Sequence, residues 1–178
     1  MGEILVVCLT VAFVLATRTR AWAEQSRYYE SFEYGVPDTF TATRPDSLSL
    51  CPWHYKQGSH SLRWDWRSGE ELIIRHGIGD VARTGGFGAK AGFSVWLYME
   101  EPISDALVFE FREGEDVTGF FRFPVGFTGW RQARPHYSEF PHGQPTSQVD
   151  NIRIAPHGAA AEGTVFLDFI KYNTLTHG

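Results

Sequence analysis

Arginines and aromatic side chains are the residues of this sequence that are best suited to hold a ligand. An arginine fork binds sulfate or carboxylate oxygens through two hydrogen bonds, and an aromatic face can pack against a sugar ring. Arg63 and Arg67 alternate along one segment and would share an exposed strand face. A second group surrounds Trp130. The candidates for a carbohydrate-binding surface are Trp53, Arg63, Arg67, Trp130, Arg131, Arg134 and His136.

The alternative for these residues is an ordinary solvated strand face. Asp65 and Glu71 are close enough in sequence to neutralise the first arginine group. Trp64, Trp66 and Trp96 are expected in the core, since large aromatic residues supply most of the buried area in a sheet protein.

No catalytic residue is predicted. His54–Tyr55 and His136–Tyr137 are adjacent pairs, and neighbouring strand residues point to opposite faces. No histidine pair has the spacing of a helical zinc site. Cys8 lies in the leader described below, which leaves Cys51 without an internal disulfide partner, as a buried thiol.

The first 23 residues have the pattern of a signal peptide. Ile4–Ala16 is apolar and shorter than a membrane span, and Ala21–Ala23 has the small residues of a cleavage site. Glu3 stands where a basic residue is usual, so an uncleaved anchor is the alternative. We expect a secreted or periplasmic protein, without a membrane association once residues 1–23 are removed, and a single domain over residues 24–178.

The net charge of −5 argues against a nucleic-acid partner. A sulfated glycan would have to bind a local basic patch. The 14 Phe, 7 Tyr and 6 Trp residues favour packed sheets over a helical bundle.

Short runs of period-two alternation predict about ten strands. Leu62, Trp64 and Trp66 would face the core. The glycine-rich stretch Gly77–Gly92 is expected to be a loop, and Ser68–Gly69 to turn Ser61–Arg67 into a hairpin with Glu71–Arg75. The remaining predicted strands are Tyr28–Tyr34, Ser47–Leu50, Phe93–Met99, Ala106–Arg112, Phe120–Phe123, Trp130–Ala133, Val149–Ile154 and Thr164–Lys171. Two antiparallel sheets in an all-β sandwich of the jelly-roll type follow from this spacing, with a barrel as the alternative.

Several segments, in order, resemble the N-terminal domain of chondroitin sulfate ABC lyases (polysaccharide lyase family 8). They are Ser31–Glu33 before Gly35 and Pro37, Gly58–Trp66 (GSHSLRWDW), Gly92–Tyr98 (GFSVWLY) before Glu101–Pro102, Phe127–Arg131 (FTGWR), and Val149–Ile154 (VDNIRI) leading to Gly163–Ile170 (GTVFLDFI). The resemblance implies a jelly-roll β-sandwich similar to carbohydrate-binding modules. It also implies a partner, because catalysis in that family belongs to an α/α toroid of which this sequence shows no part.

The similarity to carbohydrate-binding modules also implies a structural calcium ion where the first and last strands meet. Glu33 and Asp168 are the candidate carboxylate ligands, with backbone carbonyls near Gly58–His60 to complete the shell. Asp168 interrupts an apolar strand, and a buried carboxylate needs a partner. The alternatives are that Asp168 faces solvent at an edge or pairs with Arg63.

Three functions remain open at this point. The first is a non-catalytic domain that packs on the catalytic domain of a parent lyase and helps to bind a glycosaminoglycan such as chondroitin or dermatan sulfate. The second is a free-standing secreted carbohydrate-binding protein. The third is an independent enzyme.

Overall fold

The computed structural model describes residues 29–79 and 91–175. The strands, in chain order, are β1 (Phe40–Ala42), β2 (Leu48–Cys51), β3 (Ser61–Arg67), β4 (Leu72–Ile74), β5 (Ala91–Met99), β6 (Ala106–Glu113), β7 (Asp116–Pro124), β8 (Gly129–Ala133), β9 (Asn151–His157) and β10 (Glu162–Leu175). Two single 3-10 turns, Pro45–Ser47 and Tyr137–Glu139, complete the regular structure in these ranges.

The strands form two five-stranded sheets, and neighbouring strands within each sheet are all antiparallel. The first sheet has the order β1-β4-β9-β6-β7, and the second has the order β2-β3-β10-β5-β8. The chain crosses repeatedly from one sheet to the other, as in a jelly roll. The predicted all-β sandwich is therefore confirmed.

Alternation along the strands fills the space between the sheets. Leu62, Trp64 and Trp66 of β3 are buried in the core as predicted, and Phe93 and Leu97 of β5 join them. Residues at even positions of β5 point away from the core, because successive side chains of a strand alternate between the faces of its sheet.

The predicted first strand, Tyr28–Tyr34, is wrong. Within its described part, only Glu30 pairs with another strand, through an isolated bridge to Ile170, and Glu33 and Tyr34 form a turn. The first strand is instead β1, whose three residues are too few to show a period in the sequence.

The predicted hairpin of Ser61–Arg67 with Glu71–Arg75 is also wrong. The turn at Ser68–Gly69 is present, and Gly69 has the positive φ of 81° that favours glycine. However, it carries the chain from the second sheet to the first, where β4 pairs with β1 and β9. Alternation locates a strand but does not tell which sheet receives it.

The signal-peptide prediction and most of the glycine-rich loop lie outside the described residues. Within the described ranges there is no helix of the length and apolar character needed to cross a membrane.

Candidate functional site

A line of side chains crosses the outer face of the second sheet. The strand registers place Arg63 opposite Phe166, Phe166 opposite Tyr98, and Tyr98 opposite Trp130. The ring centroid of Tyr98 lies 5.7 Å from that of Phe166 and 5.4 Å from that of Trp130. We call Phe166, Tyr98 and Trp130 the aromatic band.

Trp96 belongs to the same outer face, so its predicted place in the core is wrong. It is half-buried and pairs with Asp168 on one side and Gln132 on the other. The sequence could have indicated this, because Trp96 and Tyr98 lie on one face of an alternating strand and Phe93 and Leu97 lie on the other.

Residues 52–60, which connect β2 to β3 and which we call the covering loop, fold over this face. The His54 ring stacks on Tyr98 with the centroids 4.1 Å apart, and its Nε2 lies 3.0 Å from the Glu100 carboxylate. The Lys56 ammonium lies 4.0 Å from the centre of the Trp96 ring. The protein's own side chains thus lie on the rings of the outer face.

Asp168 fixes the middle of the covering loop. Its Oδ2 accepts hydrogen bonds from the amides of Lys56 and Gln57 at 2.7 and 2.9 Å, and its Oδ1 accepts one from the amide of Phe169 at 2.7 Å. A β-bulge follows Asp168, where Phe169 has a φ of 51°. Burial raises the pKa of Asp168, although these three amides favour the ionised form.

Glu33 fixes the end of the same loop. Its carboxylate accepts hydrogen bonds from the Ser59 amide at 2.9 Å, the Ser59 hydroxyl at 2.6 Å and the His60 amide at 3.2 Å. Burial acts to raise the pKa of Glu33, but these hydrogen bonds outweigh it and the pKa is lowered. Asp168 faces neither solvent nor Arg63, so both alternatives considered for it are wrong.

The donors around Glu33 and Asp168 do not fit a calcium shell. Calcium takes about six to eight oxygen ligands, whereas the loop turns amide N–H groups toward both carboxylates. In the described ranges, no three His, Cys, Asp or Glu residues are grouped to hold a metal ion. The calcium ion stays an untested prediction, and no role is derived from it.

The outward side of the covering loop carries two exposed aromatic residues. Trp53 is 78% exposed and Tyr55 is 44% exposed. Trp53, one of the candidate contact residues, is therefore accessible to a ligand. Tyr55 was not predicted as a contact residue, although it lies only two residues from Trp53.

The second candidate group lies on the edge strand β8 and just after it. Trp130 and Gln132 face outward with the aromatic band, whereas Arg131 pairs with the buried Leu97 and points to the other side. The Arg131 guanidinium lies 5.1 Å from the centre of the Phe127 ring. Arg131 and Arg134 are both exposed, and neither forms an ion pair with another described residue.

His136 is less accessible than the two arginines. It is half-buried, and it pairs with Gly92 in an isolated bridge. His136 therefore lies at the border of this group and is less available to a ligand than Arg131 and Arg134.

Arg63 and Arg67 share one exposed face of β3, as predicted, but they lie in an acidic setting. Arg63 Nε is 3.0 Å from the Asp65 carboxylate. Arg67 borders a cleft of about 530 Å³ at the end of the second sheet, together with the carboxylates of Asp65, Glu100, Glu101 and Glu162. These acidic groups oppose a polyanion. Two intervening strands also separate β3 from β8 by about 14 Å.

The His–Tyr pairs do not assemble a reactive site. His54 packs against the sheet while Tyr55 faces solvent. Tyr137 is buried, donates its hydroxyl to the carbonyl of Tyr172, and has a pKa raised by burial. A tyrosine whose ionised form is disfavoured in this way is poorly suited to act as a base.

Comparison with known proteins agrees with these features. Residues 26–176 match the family described as "Lyase, N terminal". The chain belongs to this family. Two chondroitin sulfate ABC exolyases, from Proteus vulgaris and Bacteroides thetaiotaomicron, are each 31% identical to this lyase N-terminal domain over 140 and 147 residues, which is 78% and 81% of the chain. The match covers only 14% of the length of either enzyme.

Solved structures support the fold alone, since their sequence identities are low. The C-terminal family 22 carbohydrate-binding module from Clostridium thermocellum superposes with a TM-score of 0.53 at 19% identity, over 83% of this chain and 92% of the module. A family 11 carbohydrate-binding module from the same organism, solved with a β-1,3-1,4-linked tetrasaccharide, also gives 0.53, at 12% identity over 81% and 93% of the two chains. The predicted likeness to carbohydrate-binding modules is confirmed.

Proposed function

We propose that this lyase N-terminal domain is the non-catalytic part of a secreted glycosaminoglycan lyase. In this role it binds an anionic polysaccharide of the chondroitin or dermatan sulfate class and packs on a catalytic domain. Family membership and the carbohydrate-binding-module fold support the general role. Chondroitin sulfate appears in the names of the two similar exolyases, and dermatan sulfate is included as a related sulfated polymer.

The observation that carries the binding role is the basic edge of the second sheet, which we define as Trp130, Arg131 and Arg134. The chain as a whole has a net charge of −5, yet residues 117–138 contain no Asp or Glu. Arginines that lack a carboxylate partner are free to bind sulfate or carboxylate groups through their paired N–H donors. The Trp130 ring, on the outward face of the same edge strand, provides a face for the sugar.

A titration with chondroitin sulfate at several salt concentrations tests this role. Two exposed ionic contacts are each worth up to about 1 kcal/mol, so Arg131→Ala combined with Arg134→Ala should weaken binding about tenfold at low salt. The double variant should also flatten the dependence on salt, because screening acts on exposed charges.

The matched control removes an arginine from the other sheet. Arg75 is exposed, follows β4, and bonds to the Thr41 hydroxyl at 3.1 Å. Arg75→Ala should leave the affinity unchanged. Equal losses in Arg75→Ala and in the edge variants would mean that net charge, rather than the basic edge, governs binding.

The non-catalytic role has a separate test. β-Elimination of a uronic acid yields an unsaturated product that absorbs in the ultraviolet. We expect no such absorbance when the domain is mixed with chondroitin sulfate at high protein concentration. Appearance of the product would contradict the proposal. Translation of the DNA beyond Gly178 tests the parentage, because an in-frame helical toroid is expected there and a stop codon would favour a free-standing protein.

A further inference from the structure

We propose that the outward side of the covering loop is a second glycan contact, in which Trp53 and Tyr55 stack on sugar rings. Glu33 and Asp168 are positioning residues for this contact. The inference rests on the proposed function, since it requires that the domain binds a glycosaminoglycan.

The first step is that the sheet beneath the loop has little free aromatic surface. His54 lies flat on Tyr98 at an interplanar angle of 18°, and the Lys56 ammonium lies above Trp96. Phe166 at the centre of the aromatic band is almost fully buried. A sugar that approaches this part of the domain therefore meets the loop before it meets the sheet.

The second step is that the loop exposes the kind of surface it covers. Trp53, at 78% exposed, is the most exposed large hydrophobic residue of the described chain, and Tyr55 is two residues away. An exposed tryptophan does not contribute the stabilising free energy that its burial would give, and exposed aromatic groups often mark contact sites.

The third step is that the chain's own hydrogen bonds hold the loop in shape. Hydrogen bonds to Asp168 and Glu33 fix the amides of Lys56, Gln57, Ser59 and His60. A loop that is ordered in advance loses less conformational entropy on binding, which increases affinity. The two carboxylates therefore act on the contact indirectly, by holding the loop that carries Trp53 and Tyr55.

A sugar suits this surface better than a protein. Three exposed polar residues of the loop, Lys56, Gln57 and Ser59, flank the exposed rings, and Pro52 is an exposed apolar neighbour. One flat aromatic face with several hydrogen-bonding neighbours matches a pyranose ring, which has an apolar side and a rim of polar groups. A protein partner at these rings would instead leave oligosaccharide binding unchanged in Trp53→Ala.

The test is a titration with chondroitin sulfate oligosaccharides at low and high salt. Trp53→Ala should weaken binding about tenfold, as a central tryptophan contact does, and by a similar factor at both salt concentrations. The Arg131→Ala/Arg134→Ala variant should lose affinity mainly at low salt. Trp53→Phe should restore most of the binding. Val117→Ala removes an exposed apolar side chain from β7 and should have no effect.

The positioning role has its own readout. Asp168→Asn and Glu33→Gln should speed hydrogen exchange at the amides they hold and should weaken binding. Neither should weaken it further in a background that lacks both rings, Trp53→Ala combined with Tyr55→Ala. Glu33 is the safer variant, because it is only partly buried.

The outcomes separate the two proposals. If Trp53→Ala binds like the wild type while the arginine variant is weakened, the stacking contact is wrong and the proposed function stands. If the wild type binds no oligosaccharide at all of the salt concentrations tested, both the stacking contact and the proposed binding function are wrong. If Asp168→Asn and Glu33→Gln speed exchange but leave the affinity unchanged, the positioning role is wrong.

Discussion

Replacement of Asp168 by alanine should destabilise the domain strongly, because this buried carboxylate of β10 holds the covering loop. Asp168 is buried and accepts three backbone hydrogen bonds. A hydrogen bond to a charged group contributes about 1.5–3 kcal/mol. Relief of the buried charge and hydration of the exposed loop amides offset part of the loss, so we expect a net cost of about 3 kcal/mol.

A loss of this size corresponds to a melting temperature about 6–12 °C lower for a domain of this length. Differential scanning calorimetry would measure it. Asp105→Ala is the matched control, because Asp105 also holds two loop amides, those of Ala159 at 3.0 Å and Ala160 at 2.7 Å, but at a less buried position. It should cost only about 1 kcal/mol.

The pH dependence adds a second check on Asp168. Its pKa is raised in the folded state, so the folded protein binds this proton more tightly than the unfolded chain does. The stability that this supplies is present at low pH and is lost as the pH rises through the folded-state pKa. The gap between wild type and Asp168→Ala should therefore widen as the pH falls from 7 toward 4. Equal melting shifts for Asp168→Ala and Asp105→Ala, or a gap that narrows at low pH, would refute this reasoning.

Three further predictions concern other parts of the domain. Glu30→Gln should raise the melting temperature at pH 7 and have little effect near pH 4, because burial raises the pKa of Glu30 and disfavours its charged form. A lower melting temperature at pH 7 would count against this. Gly163→Ala should lower the free energy of unfolding by about 1–3 kcal/mol in a denaturant titration, since the added Cβ would lie 2.7 Å from Ile103 Cδ1 and from Trp66 Cε2. Gly126→Ala is the control and should be neutral, because its Cβ meets only an ordinary contact at 3.5 Å. EDTA should leave the melting temperature unchanged, and a rise on adding calcium would instead support the calcium shell at Glu33 and Asp168.

The sequence was informative wherever a strand carried a clear alternation. Ser61–Arg67 is found with the predicted bounds, and its three large apolar residues lie in the core. Phe93–Met99 was located but gained two residues at its start, because Ala91 and Gly92 continue the pairing with β10. Alternation depends only on neighbouring residues along the chain, and it can therefore be recognised in the sequence alone.

The features that needed tertiary information were not predictable. Glu33 lies in a turn rather than on a strand, and its hydrogen bonds come from residues 26 and 27 positions away. Asp168 bonds to amides more than 110 positions away, next to a bulge that no residue pattern announces. The apolar neighbours of Asp168 raised burial as one of two alternatives, but they gave no indication of its partners.

The candidate surface shows the same division. The choice of Trp53, Arg131 and Arg134 as candidates followed from local sequence, and all three are exposed. The neutralisation of Arg63 by Asp65 was considered as an alternative and is present at 3.0 Å. The folding of His54 and Lys56 over Tyr98 and Trp96 depends on how a nine-residue connection crosses the sheet, which no local pattern encodes.

The most direct test of the central claim is an NMR titration of the 20.2 kDa chain with a chondroitin sulfate oligosaccharide at low salt. We predict shifts of the indole and backbone signals of Trp53 and Trp130 and of the backbone from Arg131 to Arg134, while the outer face of the first sheet stays unchanged. Shifts confined to the first sheet, or none at saturating oligosaccharide, would contradict the account.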